Sequence, residues 1–348
     1  MGFSIEILNN IRLNASEEYQ ARIPEATKEN LSTVGSALQT YTVHANEFYS
    51  LLIEKIGRTI VEQKMFKNKL AKFKSGGIVS SHDVEEIFVE MAKAEGNYDK
   101  NGKNPLGRRS GPDVKVIYHR QNRQYYFAIS IGDLDFVRVF RSESTLDAFI
   151  KGQINSIYSG DEYDEWLTMK ELLATYKNKD KTASGYFDYE VPDFASATQG
   201  DPVTIKNWCA YFVKTLRKAV TDLSFASTDY NVSGVKTWSN PSDLVLLVHK
   251  DIVAEVDVEL LANAFHQSNT DMKVVPEIIV MDDFGSLTDT YGLLVDKDFF
   301  RVWDTLVHME GQRNAQGLFT NYFYHHHQIL SLSSFKNAVR FKRVDIGE

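Results

Sequence analysis

Residues 243–283, DLVLLVHKDIVAEVDVELLANAFHQSNTDMKVVPEIIVMDD, decide the reading of this chain. Leu244 to Val248 is an apolar, β-rich run too short to be an isolated helix, so it suits a strand covered on both faces. Asp251 follows as a helix cap, and Val253, Val256, Leu260, Leu261, Ala264 and Phe265 fall on one side of the helix it starts. Ile278 to Met281 is a second apolar run that closes a strand–helix–strand unit. In a nucleotide-binding unit of this plan, the first turn carries glycines so that backbone N–H groups can approach a phosphate. Here the turn is His249-Lys250-Asp251, without a glycine. The unit reads as a building block, not as a ligand cradle.

Working outward, 348 residues make one large domain or two ordinary ones. A hydrophobic fraction of 43% with 25% charged residues belongs to a folded globular chain. A formal charge of -8 excludes a protein that coats nucleic acid with its whole surface. The single cysteine, Cys209, excludes an internal disulfide, fits a reducing compartment, and reads as a small core residue. No stretch reaches the ~18 apolar residues of a membrane span. The start, MGFSIEILNNIRLN, lacks a secretory signal's pattern, so an intracellular product is expected.

Along the chain, residues 1–24 read as a polar arm, and 28–74 as helical, with Phe48, Leu52, Ile56 and Ile60 in step. A short helix is expected over 81–94. A turn-rich loop over 96–113 follows, which mimics a calcium loop but has Arg108 where the bidentate Glu belongs. Residues 114–140 alternate as a hairpin around the polar tip Arg120-Gln121-Asn122-Arg123, with a further strand at Phe136 to Phe140. A helix over 144–177 contains Ile154, Tyr158, Trp166 and Leu173 and should kink at Gly160. Residues 178–204 read as a linker and Trp208 to Val220 as a helix. Strands are expected at Tyr291 to Val295, Phe299 to Val302, Tyr322 to Leu330 and Ala338 to Phe341.

Little chemistry is visible. Ile278 to Asp283 has the shape of a Walker B strand, but no phosphate loop accompanies it. There is no H-E-x-x-H, C-x-x-C or G-x-S-x-G. His325 and His327 would share a strand face and could hold a metal with a carboxylate, but no second ligand cluster is visible at metal spacing. Packing is the default role of His325, His326 and His327. An enzyme would have to use Asp282, Asp283 and His249 in a cleft. No catalytic residue, metal or cofactor is assigned.

Three segments, in order, resemble the major capsid proteins of small short-tailed phages, which have the Hong Kong 97 shell fold. They are INSIYSGDEYDEWLTMKELL (154–173), 243–272, and SLSSFKNAVRF (331–341). The resemblance implies an α+β, Hong Kong 97-like fold. Its parts would be an N-terminal arm and helix (1–75), a peripheral segment with the extended hairpin loop (76–143), and a peripheral domain with the spine helix (144–204). An axial domain (205–325) and a C-terminal return to the peripheral domain (326–348) would complete it. It implies a non-enzymatic shell protein that forms pentamers and hexamers around double-stranded DNA in a phage head. Partners would be copies of itself, a scaffolding protein and a portal, with no membrane, and assembly would take place in the host cytoplasm. Arg108, Arg109, Arg120, Arg123 and Tyr125 would contact neighbouring subunits, and Ile154, Tyr158, Trp166 and Leu173 would mark the spine. Alternatives are a cellular nanocompartment shell of the same fold and, in another class, a cytoplasmic α/β enzyme.

Overall fold

The computed structural model describes residues 3–40, 43–48, 51, 66–78, 83–92, 111–132, 135, 138–141, 143–177, 185–193, 202–255 and 277–344. Three helices open the chain: α1 (Phe3–Asn14), α2 (Glu17–Arg22) and α3 (Leu31–Thr40). Strands β1 (Lys74–Gly77), β2 (Asp83–Val89), β3 (Val114–Arg120) and β4 (Arg123–Gly132) precede the 32-residue helix α4 (Glu143–Ala174). Then come β5 (Phe187–Pro192), α5 (Pro202–Ser224), β6 (Leu244–His249), α6 (Lys250–Glu255), β7 (Glu277–Met281) and β8 (Thr290–Asp296). The long strands β9 (Phe300–Asn314) and β10 (Phe319–Leu332) form a hairpin, and β11 (Ala338–Val344) follows.

Two larger sheets result, ordered β1-β9-β10-β4 and β5-β11-β8-β6-β7, beside a separate β2-β3 ladder. The two strands of the decisive stretch form as read: β6 and β7 are parallel, and β6 is buried on both faces. Leu244, Leu246 and Val248 join a core with Phe212, Leu216 and Leu223 of α5, whereas Val245 and Leu247 join another with Trp166, Met169 and Leu173 of α4. Cys209 is buried in the first of these cores. Asp251 lies in the first turn of α6, not at its cap; the His249 imidazole accepts the Asp251 N–H instead, at 3.3 Å. The helix positions 256–265 of that reading lie outside the described residues.

Helix α4 runs about 48 Å at ~1.5 Å per residue because it serves two cores. Leu146 and Ile157 pack with the N-terminal helices and the four-stranded sheet, and Trp166 to Leu173 pack under the five-stranded one. It continues through Gly160 without the expected interruption. Phe127 packs where a Gly160 side chain would start, 3.7 Å away, and Asp161 is held by partners described below.

Several expectations are corrected. Residues 3–23 are no loose arm: Ile5, Leu8, Ile11, Tyr19 and Ile23 are buried in one core. Arg12 donates to the carbonyls of Ile23 (2.8 Å) and Gln20 (2.9 Å), folding α2 back on α1. Residues 83–89 form a strand, not a helix, and alternate strictly in exposure. Of the helix read over 28–74, α3 and 43–48 are helical, 74 begins β1, and 52–65 are outside the described residues. Of the strand read over 136–140, Arg138 and Val139 are helical and Phe140 is in a turn, while 136–137 lie outside the described residues. Residues 187–192, read as linker, are β5.

The hairpin of 114–132 is the largest correction, because β3 pairs with β2 and β4 pairs with β10. Asn122 explains the parting of ways. Its carboxamide donates to the Leu330 carbonyl (2.7 Å) and accepts the Leu330 N–H (2.8 Å), so the chain is captured by β10. Sheet membership also differs from the sequence boundaries. β9 and the first half of β10 fall inside 205–325 yet belong to the sheet of β1 and β4, while β11 falls inside 326–348 yet pairs with β8 and β5.

Candidate assembly surfaces and the ionic junction

The β2–β3 ladder stands apart from both sheets and has two unlike faces. Its inner face is anchored by Glu86, which accepts bonds from Arg301 (2.6 Å) and the Ser333 hydroxyl (2.8 Å) and pairs with His119 Nε2 (2.9 Å). His119 Nδ1 meets the Ser331 hydroxyl at 2.7 Å. Burial would raise the Glu86 carboxyl, but these hydrogen bonds, led by His119, carry it down to about 2. Phe88 packs on Phe335 beside them. The outer face grades from charged to apolar in cross-strand pairs: Asp83 with Arg120, Glu85 with Tyr118, Ile87 with Val116, Val89 with Val114. Ile87 is 56% exposed, Val89 53%, Val114 50% and Tyr118 58%, an apolar concentration that a free surface rarely carries.

At the middle of α4 lies a buried ionic junction. Asp161, Asp164 and Glu165 share a helix face and meet β1, β4 and β10 of the adjoining sheet, with β9 joined through His326 and Gln328. Arg123 of β4 donates to Asp161 (2.8 Å), to Asp164 (2.9 Å) and to the Gln328 side-chain oxygen Oε1 (2.6 Å). His326 of β10 bridges Asp161 through Nδ1 (2.6 Å) and Asp304 of β9 through Nε2 (3.0 Å). Gln328 donates to Glu165 (2.8 Å) and Asp304 (2.6 Å), and Lys74 of β1 reaches Glu165 at 2.6 Å. Burial opposes charge on His326, yet the two aspartates raise it to about 9, so it is an imidazolium at neutral pH. Asp304 is likewise penalised by burial but is held at about 2 by His326, Lys74 and Gln328.

Among the described residues, Glu165, Asp304 and His326 place ligand atoms within 4.8 Å of one another. This trio does not fit a metal. Both His326 nitrogens are committed to aspartates, and Lys74 and Arg123 already supply the positive charge.

Comparison with known proteins places this architecture. The family model for the Phi29-like phage major capsid protein matches residues 8–342. The major capsid protein of Bacillus phage B103 is 35% identical over 341 residues, covering 97% of this chain and 72% of that protein. That of Streptococcus phage Cp-1 is 30% identical, covering 96% and 93%. The capsid structure of Staphylococcus phage Andhra superposes with a TM-score of 0.61 at 11% identity, covering 82% of this chain and 87% of that one. The mature capsid of bacteriophage PhiM1 gives 0.51 at 7% identity, covering 83% and 91%. The chain belongs to the Phi29-like phage major capsid proteins.

A capsid protein acts by contact, so the placement of the sequence-predicted residues matters. Arg108 and Arg109 lie outside the described residues. Arg120 is exposed on the β2–β3 ladder, 3.6 Å from Asp83. Arg123 is 2% exposed and fully engaged inside the chain, so it is a junction residue and not a surface contact. Tyr125 is 49% exposed and lies over the Arg123 guanidinium at 5.2 Å. On the spine, Tyr158 packs against Tyr324 at 5.5 Å, Trp166 and Leu173 are buried, and the Ile154 side chain is outside the described set. Asp282 and Asp283, the Walker B look-alikes, close on the Lys170 ammonium at 3.1 and 2.9 Å. His249 and Asp283 do line one cavity of about 440 Å³, with Asp251, Tyr291 and Arg343. The sequence reading missed the junction because its members come from β1, β4, α4, β9 and β10; the one available signal was the acidic run at 161–165 inside a helix.

Proposed function

We propose that this major capsid protein assembles into pentamers and hexamers of an icosahedral or prolate shell around double-stranded DNA, without catalysis. A scaffolding protein and a portal are its partners, and assembly takes place in the host cytoplasm. The four-stranded sheet, the N-terminal helices and α4 make the peripheral part, and the five-stranded sheet makes the axial part. The extended loop that laps a neighbour is the β2–β3 arm, residues 83–120, in place of 113–141.

The observation that carries this reading is the two-faced β2–β3 ladder. One face is locked to its own chain by Glu86, and the other offers Ile87, Val89, Val114 and Val116 to something else. In a shell, that something is the adjacent subunit, where buried apolar area supplies the association energy. The net charge of -8 keeps the protein from gripping packaged DNA over its whole surface. The test is the double variant Ile87→Asp/Val116→Asp, both on the exposed face. The expected outcome is a chain with native circular dichroism that sediments as small species in place of shells. Normal shells from that variant would remove the arm from the assembly contact.

A further inference from the structure

The strand register brings together three histidines that none of the above uses. His325 and His327 lie two apart on β10 and so share a face, opposite to the junction residue His326. His308 of β9 is the direct cross-strand partner of His325. Directly opposed antiparallel residues have Cβ atoms about 4.5–5.5 Å apart and point to the same side. We propose that His308, His325 and His327 form a binding site for Zn²⁺, or a similar imidazole-seeking divalent cation, on the outer face of the four-stranded sheet.

Geometry is the first support. The His325 and His327 ring centroids are 6.2 Å apart. Three imidazoles around one tetrahedral Zn²⁺, at ~2.0–2.1 Å from nitrogen to metal, would have centroids about 5 Å apart. Closing that gap takes a rotation of side chains, and His308 is exposed and His325 and His327 only half-buried.

Availability is the second. Among the described residues, none of the three makes a side-chain hydrogen bond or an ion pair, whereas His119 and His326 have both ring nitrogens engaged.

The electrostatics of the face is the third. The rows across β4, β10 and β9 read Gln124–His327–Leu306, Tyr126–His325–His308 and Ala128–Phe323–Glu310. No lysine or arginine stands in them. Glu310, exposed and two residues beyond His308 on the same side, adds negative charge to this face. Imidazole donors on one rigid sheet face, with a remaining coordination position open to solvent, suit Zn²⁺ and Cu²⁺ and do not suit Mg²⁺ or Ca²⁺.

Titration of the full chain with ZnCl₂ against a chromophoric chelator tests this. The expected result is one saturable site per chain, weakened by about tenfold or more in each of His308→Ala, His325→Ala and His327→Ala, by analogy with losses at metal-supporting positions. His249→Ala, away from this face, should bind as the unaltered chain does. Co²⁺ bound to the unaltered chain should show the strong visible bands of four-coordinate geometry, which needs no variant to fold. Absence of saturable binding overturns the proposal. So does His308→Ala binding at full strength, because the ion would then sit on a two-histidine chelate of one strand or elsewhere.

Discussion

Helix α4 presents carboxylates at 161–165 to the four-stranded sheet and the apolar side chains Trp166, Met169 and Leu173 to the five-stranded one, and the two regions hold it by different physics. Under the five-stranded sheet, Trp166, Met169 and Leu173 meet Val245, Leu247 and Leu293 mainly through hydrocarbon, with the Lys170 pair to Asp282 and Asp283 beside them. Burial there is non-directional and scales with area. Across the four-stranded sheet, Arg123, His326 and Lys74 must each find a particular carboxylate. Such a set adds little net stability over an apolar replacement, but losing one member strands the others in a dry site. The apolar region therefore supplies stability, and the ionic one sets where along the helix each strand sits.

Three experiments break or sharpen that comparison. The largest effect belongs to Leu246→Asp, which puts an unpaired carboxylate at a fully buried position between β7 and β8. The chain should fail to fold, read as insoluble expression; a soluble, cooperative protein would mean that water reaches this sheet. Next, Arg123→Met should cost about 3–5 kcal/mol in denaturant unfolding, whereas Arg123→Met combined with Asp161→Leu should recover part of that loss. Equal stability of the single variant and the parent would deny the junction its locking role.

The smallest effect is a pH response confined to the ionic region. His326 rises from 6.5 to about 9 on folding, so its contribution is complete below pH ~6.5 and is lost as pH rises through about 9. A shift of that size corresponds to at most ~3 kcal/mol. Asp304 and Glu86, each lowered to about 2, contribute fully above pH ~4.5 and lose that contribution as pH falls towards 2. Stability should thus be highest between about pH 4.5 and 6.5, and His326→Gln should flatten the alkaline limb and weaken the acid limb as well, because His326 helps to hold Asp304 down. An unchanged alkaline limb in that variant would contradict the imidazolium assignment.

Legibility followed the same division. The runs 244–248, 278–281 and 291–295 are apolar along their whole length, so strands buried on both faces could be read from them directly, as could Cys209 in the core and the helix that begins at Glu143. The N-terminal helices were unread because Ile5, Leu8 and Ile11 are sparse among polar residues, and their burial depends on a groove built by α4 and β10 far along the chain. The partner of β3 was misread because alternation names a strand's faces and not its neighbour.

The amino-acid sequence by itself determined that the chain is α+β, that it lacks a phosphate cradle in its strand–helix–strand unit, and that three ordered segments resemble phage shell proteins. The missing cradle and the strand and helix runs follow from side-chain type and periodicity, which are local quantities, and the fold class is what the resemblance implies. The tertiary structure alone decided that Asn122 turns the chain from β3 onto β10, that Arg123 is internal, and that His326 faces carboxylates while His325 lies opposite His308. Each depends on the register between strands distant in sequence. A register moved by one residue would exchange the two faces of β10 and leave the composition unchanged.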